Sequence, residues 1–279
     1  MIQNKNKNIN KWIKWVTIWL FLGIFALIWI SPILWMVSTS LKPESEVITE
    51  AINWIPENFT LENYKKALFD SKILRWILNS TIVSIVVTTG ILLFQSMAAY
   101  SLSRIKFKGS QYIFLMIIAG MMIPPQVLVI PLYLFFKNLN MISTYPAILL
   151  PQIALPLGIF IFKQFFDAIP HEMEEAAQVD GCSFFRIYWN IILPMSRPVL
   201  AAVGIFHFIW SWNYFFWPLI IENSDNMYTL PVGLATFQGT HGLEYGLVMA
   251  GVVIASIPAL TLYIIFQEQL VKGVTLQQK

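Results

Sequence analysis

The chain has 279 residues, of which 57% are hydrophobic and 12% are charged. A soluble domain carries about 25% charged residues, so this chain has too few polar groups to cover a globule in water, and we expect its apolar surface to face lipid. The formal net charge of +3 is too small to indicate a nucleic-acid partner, and a single cysteine, Cys182, excludes an intrachain disulfide and a cysteine-based metal cluster.

Six apolar stretches are long enough, or nearly so, to cross a bilayer as helices. About 20 residues, each rising about 1.5 Å, span the hydrocarbon layer. We therefore predict an all-α integral membrane protein with six transmembrane helices. Their approximate bounds are 15–37, 77–102, 112–136, 145–165, 199–221 and 246–266. The first stretch follows several lysines, as a signal peptide does, but it is too long and lacks a cleavage site, so we interpret it as an uncleaved anchor.

Short basic segments predict the orientation, because lysine and arginine concentrate on the cytoplasmic side. The N-terminal lysines, the connection after the second stretch and the connection after the fourth are therefore expected inside. Segment 222–244 has acidic residues and no lysine or arginine, which predicts an external loop and cytoplasmic termini. We divide the chain into a tail, first helix and external loop (1–75), a five-helix core with a cytoplasmic loop at 169–198 (76–268), and a C-terminal tail (269–279).

Two adjacent prolines, Pro124 and Pro125, lie in the middle of the third stretch. Proline lacks the backbone N–H that a helix needs and collides with the preceding turn, so we expect the helix to kink or break here. In a membrane the freed carbonyl groups are tolerated where protein or a watery cavity satisfies them. Gln126 follows at once. A polar translocation path is one interpretation, and a static structural kink is the other.

The fifth stretch combines polar and aromatic side chains at His207, Trp210 and Asn213. Flat aromatic faces beside amide groups are typical of a sugar-binding site, whereas an interfacial aromatic belt has the same composition. Both interpretations stay open from the sequence. No stretch holds a clear mid-membrane Asp, Glu, Lys or Arg, a group that ion-coupled carriers commonly need, which favours an energy source outside this chain.

The polar segment at 169–198 is predicted to form two helices joined by a sharp turn. Glu172–Val179 indicates a short helix, with acidic residues at its positive N-terminal end. Asp180 and Gly181 end it, because glycine readily adopts the left-handed conformation. An amphipathic stretch follows at 184–193, and we expect Pro194 to end it.

This segment resembles the EAA loop of ABC importer permeases at every position of the motif. The matching residues, with their spacing, are Glu175, Ala176, Ala177, Gly181, Ile191, Leu193 and Pro194. Segments 212–219 and 228–234 are similar to the maltose-type branch of carbohydrate permeases, and the likeness covers nearly the whole chain. The resemblance implies the permease fold of type I ABC importers, in which this loop, here including Asp180, docks on an ATP-hydrolysing subunit.

The resemblance also implies partners and a location. The chain would form half of a heterodimeric sugar path in a bacterial cell membrane, with a second permease subunit, two ATP-binding cassette subunits and an extracytoplasmic solute-binding protein. It further implies that the external loop, around Gln238, Gly239 and Gly242, reaches into the binding protein. A plain external connector is the alternative interpretation of that loop.

The sequence has no G-x-x-x-x-G-K-[ST] phosphate loop, and no nucleophile–base pair or metal-ligand spacing. We therefore predict a non-catalytic subunit without a catalytic residue, a metal or a bound cofactor. Two rival functions remain: an ABC permease for another solute class, and a self-sufficient secondary carrier. The carrier predicts internal inverted repeats and an ionisable group within the membrane, and the sequence shows neither.

Overall fold

The computed structural model describes residues 2–48, 53–105, 107–240 and 244–275, with side chains at 12, 14–48, 53–105, 107–237 and 244–267. In these ranges the chain forms helices and connecting turns, and no strand. The α-helices are Ile2–Ser40, Glu44–Val47, Glu62–Lys65, Ile73–Gly90, Ser96–Arg104, Ser110–Met121, Val129–Asn138, Tyr145–Ile153, Leu157–Asp167, Glu172–Val179, Phe184–Ile187, Leu193–Met195, Arg197–Trp212, Phe216–Ile221, Leu230–Thr240 and Tyr245–Thr275.

Four of these helical segments are long and apolar enough to cross a membrane by themselves: Lys14–Ser40, Ile73–Arg104, Tyr145–Asp167 and Tyr245–Gln267. Two further pairs of helices, each bent at a short break, bring the number to six if each pair is one span. The prediction of an all-helical membrane protein with six apolar crossings is therefore confirmed within the described residues. We call these segments the first to sixth spans in chain order.

The third span is broken at the predicted prolines. Ser110–Met121 and Pro125–Asn138 are bent by 91° relative to each other. A 3-10 turn, Pro125–Leu128, starts the second half, because neither proline can donate the hydrogen bond that would continue the first helix. The expectation of a break at Pro124 and Pro125 is confirmed.

The fifth span differs from its predicted bounds. Its two parts, Phe184–Met195 and Arg197–Trp212, are bent by 79°. The predicted stretch 199–221 is divided, since Arg197–Trp212 ends before Asn213 and a separate helix, Phe216–Ile221, follows. The expectation that Pro194 ends the amphipathic helix is wrong. Pro194 lies one residue before the end of the continuous helical run Phe184–Met195, and the bend follows at Ser196.

The second span is the centre of the packing. It comprises Ile73–Gly90, a π-helical turn at Ile91–Gln95, and Ser96–Arg104. Arg197–Trp212 and Tyr145–Ile153 pack along its first part, and Leu157–Asp167 packs along its last part. The apolar core here includes Val83, Val87, Ile91, Ile148, Phe162, Phe166, Ile187, Tyr188, Ile192 and Val203.

The chain divides into two compact units, Met1–Ser71 with Phe237–Ile254, and Lys72–Thr236 with Ala255–Lys279. In the first unit, the loop after the first span folds back onto the end of that span. Lys42 is 2% exposed and lies 4.9 Å from the ring centre of Trp35. The Asn63 side-chain amide donates to the carbonyl oxygens of Ser40 and Lys42 at 3.0 and 2.8 Å. These contacts give a buried lysine a local structural role.

Candidate functional site

The predicted short helix of the polar segment is present as Glu172–Val179, which we call the loop helix. It is followed by Gly181 at φ +80°, a conformation that glycine adopts far more readily than other residues. The Cys182 backbone N–H donates to the carbonyl oxygen of Ala177 at 2.9 Å, which closes the turn. The expected helix end at Asp180 and Gly181 is confirmed.

The loop helix has one face against the protein and one face that is open. Glu174 and Ala177 are 3% and 8% exposed. Glu175, Ala176 and Asp180 are exposed, as are several apolar side chains on the loop helix and just after it. Those apolar side chains are Met173, Val179, Phe184 and Phe185. The open side of the loop helix therefore carries carboxylates, and exposed apolar side chains lie on it and just after it.

The loop helix is followed by a return helix, Phe184–Met195, which contains a π-helical turn at Tyr188–Ile192. Ser183 caps its start by accepting a hydrogen bond from the Arg186 N–H at 3.4 Å. Ile191 and Leu193 are partly buried and pack against the core, while Pro194 is exposed. The apolar motif residues thus hold the return helix to the protein.

The four candidate path residues have different environments. Gln126 is exposed in the turn between the halves of the third span, and Asn213 is exposed where Arg197–Trp212 ends. Trp210 stacks on Tyr214 with ring centres 4.5 Å apart. His207 is 3% exposed, and its Nδ1 lies 2.9 Å from the carbonyl oxygen of Val203 in its own helix. Their role in a translocation path stays a prediction.

Sequence reasoning missed two buried glutamines inside the spans, Gln95 and Gln152. Ser211 donates a 2.9 Å hydrogen bond to the side-chain oxygen of Gln152. The Gln95 amide donates to the carbonyl oxygens of Ile153 and Leu155 at 2.7 and 2.8 Å. These carbonyls are free because the fourth span is interrupted before Pro156. The sequence signal that could have revealed this contact was Gln95, a lone glutamine in one apolar stretch, together with Pro156, which interrupts another apolar stretch.

The end of the second span that is farther from the loop helix is its start. There the second span binds the segment 225–230, which leads into the helix Leu230–Thr240. The Asn79 side-chain amide donates to the carbonyl oxygens of Asn226 and Tyr228, both at 2.9 Å. The Leu230 N–H donates to the Ser80 hydroxyl at 2.8 Å. Lys72 pairs with Asp225 at 2.5 Å. These contacts hold the segment 225–230 against the start of the second span.

The predicted external loop is more ordered than expected. Residues Leu230–Thr240 are helical, so Gln238 and Gly239 lie in a helix rather than in a glycine-rich loop. Gly242 lies outside the described residues. Contact of these three residues with a binding protein stays a prediction.

The sequence profile of one family matches residues 91–276, which is more than half of the chain. That family is described as the binding-protein-dependent transport system inner membrane component. This chain belongs to that family. The resemblance of segment 175–194 to importer permeases is thereby confirmed.

Curated relatives of this inner membrane component match almost end to end. The arabinooligosaccharides transport system permease protein of Halalkalibacterium halodurans is 36% identical over 256 residues, covering 91% of this chain and 92% of the relative. The trehalose/maltose transport system permease protein of Thermococcus litoralis is 34% identical over 257 residues, covering 90% and 92%.

A solved structure has the same fold as this inner membrane component. One chain of a bacterial ABC transporter involved in the import of the acidic polysaccharide alginate superposes with a TM-score of 0.83 at 23% identity. The superposition covers 92% of the present chain and 96% of that one. The chain is therefore a multi-pass permease with the fold of an ABC importer.

Proposed function

We propose that this chain is the transmembrane subunit of an ATP-driven sugar importer and forms half of a heterodimeric translocation path. The observation that carries the proposal is the loop helix. Its motif residues Glu175 and Ala176 are exposed, as are apolar side chains on the loop helix and just after it, and Gly181 forms the turn. One of two ATP-binding cassette subunits would cover these exposed groups and push on the loop helix as the two subunits close. An external binding protein would deliver the sugar.

The substrate class rests on the relatives. The permeases of Halalkalibacterium halodurans and Thermococcus litoralis are named for arabinooligosaccharides and for trehalose and maltose. Two other relatives, at 31% and 33% identity, are named for diacetylchitobiose and for starch degradation products. Oligosaccharides are the chemistry that these names share, and an oligosaccharide is the substrate that we assign to this chain. No metal or cofactor is part of the proposal.

The subunit composition can be tested by isolating the tagged chain from membranes of its native host. We expect a second permease, an ATP-binding cassette subunit and an oligosaccharide-binding protein in the isolated complex. Vesicles containing this complex should take up labelled oligosaccharide when ATP and binding protein are present. Uptake by the isolated chain alone, or uptake of amino acids in place of sugar, would contradict the proposal.

The orientation can be tested with the chain's own cysteine. Cys182 lies in the turn between the loop helix and the return helix and is partly exposed. A membrane-impermeant maleimide should label Cys182 in inside-out vesicles and leave it unlabelled in intact cells. The matched control is Asn223→Cys combined with Cys182→Ser, because Asn223 is exposed in the predicted external loop and should show the reverse pattern. Labelling of Cys182 from outside would place the loop helix on the wrong side for an ATPase.

A further inference from the structure

One face of the second span carries three polar side chains one helical turn apart, and all three contact the loop helix or the return helix. These residues are Ser96, Tyr100 and Arg104, and they are 0%, 4% and 8% exposed. Residues four apart lie one above another on a helix, so together they form a continuous stripe. The third and fourth spans lie between the second span and the loop helix in the sequence, yet the second span contacts the loop helix directly.

Arg104 is the lower end of the stripe, and its guanidinium joins three pieces of chain. Its Nε lies 3.0 Å from Oε1 of Glu174 in the loop helix, with the two side chains only 1% and 4% exposed. This is an ion pair, although the N–H does not align with that oxygen well enough for a hydrogen bond. Nη2 donates to the carbonyl oxygens of Phe166 and of Ile169, the latter at 2.6 Å.

The upper part of the stripe contacts both helices of the polar segment. The Tyr100 hydroxyl donates to Oε2 of Glu174 at 3.4 Å, and its ring packs on the Tyr188 ring with centres 5.3 Å apart. The Ser96 and Tyr188 hydroxyls lie 2.7 Å apart. Glu174 thus contacts two turns of the second span, and Tyr188 of the return helix contacts two turns as well.

Such an arrangement transmits displacement. Opposite charges buried away from water interact strongly, and separating them leaves each one without compensation, so the two helices move together. The π-helical turn Ile91–Gln95 lies immediately before Ser96, and the π-helical turn Tyr188–Ile192 begins with Tyr188. Such π-helical turns are often found at functional positions in helices. Glu175 is exposed and faces away from the second span, whereas its neighbour Glu174 is buried and faces Arg104 and Tyr100.

We propose that Glu174 and Arg104, supported by Tyr100, Ser96 and Tyr188, are positioning residues that pass movement of the loop helix to the second span. The inference rests on the proposed function, since it assumes an ATPase that moves the loop helix. It assigns the receiving element, the second span, around which the fourth and fifth spans pack. Glu174 acts through this contact inside the chain, and Glu175 is left for the partner subunit.

The test compares two rates in the reconstituted complex: ATP hydrolysis stimulated by sugar-loaded binding protein, and sugar uptake. The variants are Glu174→Gln, which removes one charge and keeps the shape, and Tyr100→Phe, which removes one hydroxyl. The matched control is Ser101→Ala on the same helix, whose hydroxyl donates to its own helix at the Met97 carbonyl, 3.0 Å away. Assembly is followed by the yield of complex and by its melting temperature.

We expect Glu174→Gln to lower the amount of sugar taken up per ATP hydrolysed by about fivefold or more, the usual lower range of coupling between sites. Tyr100→Phe should lower it less, the double variant should lose less than the product of the two single losses, and Ser101→Ala should match wild type. A wild-type ratio in correctly assembled Glu174→Gln and Tyr100→Phe complexes overturns the inference. So does a loss of assembled complex with a wild-type ratio in the remainder, which indicates a purely structural pair.

The wild-type complex separates this inference from the proposed function. If it shows no ATP-dependent sugar uptake, the proposed function fails, and the inference fails with it. If it takes up sugar and the Glu174→Gln complex does so with the same ratio, the inference alone fails.

Discussion

The side-chain amide of Gln95 donates a 2.8 Å hydrogen bond to the backbone carbonyl oxygen of Leu155. This contact joins the second span to the fourth at the break where the fourth lacks its own helical hydrogen bonds. In a membrane an unpaired backbone carbonyl has no water to accept from, so a neighbouring side chain has to supply the donor.

Replacing Gln95 with leucine should therefore destabilise the protein. The variant leaves the carbonyls of Ile153 and Leu155 without this donor, and we expect a loss of about 2–4 kcal/mol in the free energy of unfolding. Thermal unfolding of the purified chain in detergent measures the change. The control is Gln267→Leu at an exposed helical position, which should change the stability little. Equal stability of the two variants would show that the carbonyls find other donors.

Gly233 is expected to be essential for the packing of its helix on Trp76. A methyl group at this position would lie 2.1 Å from Cδ2 of the Trp76 ring, well inside van der Waals contact. Trp76 cannot move away easily, because it is 4% exposed and its indole N–H donates to the Asp225 carbonyl at 2.8 Å. We expect Gly233→Ala to cost about 1–3 kcal/mol in thermal unfolding. Gly23→Ala, with no atom within 4 Å of the new methyl group, is the control and should be neutral or slightly stabilising.

Gly181 should be needed for coupling because of its backbone conformation. Its φ of +80° is strained for any residue with a side chain, while a Cβ added there meets no atom within 4 Å. Gly181→Val should therefore distort the turn, at a cost of about 1–2 kcal/mol, through backbone strain and not through contact of its Cβ with a neighbour. We expect sugar-stimulated ATP turnover of the assembled complex to fall about tenfold, the factor that 1.4 kcal/mol represents.

The control for Gly181 is Gly109→Val. Gly109 has φ +91° and likewise no atom within 4 Å of an added Cβ, but it lies between the second and third spans and outside the loop helix and its turn. It introduces the same kind of backbone strain, so ATP turnover should stay near the wild-type value. If both variants lower turnover to the same extent, the effect is general destabilisation and the coupling role of the turn is wrong.

The free energy of unfolding should depend on pH through Glu222. Burial raises the pKa of its carboxyl to about 7, although Oε2 accepts a 2.9 Å hydrogen bond from the Thr229 N–H. The folded protein then binds a proton more tightly than the unfolded chain, whose glutamate has a pKa of about 4.3. Stability from this group is complete below about pH 4 and is lost as the pH rises through 7.

The loss amounts to roughly 3 kcal/mol between pH 4 and pH 8 if the full difference in pKa applies. The glutamine of Glu222→Gln cannot ionise, so this variant should lose this part of the pH dependence of stability. The control is Glu62→Gln, a change at an exposed position, which should keep the wild-type pH dependence. Unfolding measured from pH 4 to pH 8 in detergent checks the prediction. A Glu222→Gln curve parallel to wild type would show that Glu222 does not titrate in this range.

The apolar runs and the prolines were sufficient to predict the spans and the break in the third one. Whether an apolar stretch is long enough to span the bilayer depends on that stretch alone. The lack of a backbone N–H at Pro124 and Pro125 likewise disrupts only the helix in which these prolines lie. The same holds for the loop helix, whose end at Gly181 depends on one residue's conformational freedom. Boundaries that depend on packing, such as the division at Asn213, were not predicted.

The sequence by itself determined that the chain is a helical membrane protein with a motif-bearing segment between its fourth and fifth predicted apolar stretches, because apolar length, proline chemistry and motif spacing act over short stretches of chain. Only the tertiary structure decided which polar groups meet. Glu174 and Arg104 are 70 positions apart and only 3.0 Å from each other, and Gln95 reaches carbonyls in another span. Such pairs depend on which helix faces pack together, and a desolvated polar group is tolerated only where packing brings it a partner.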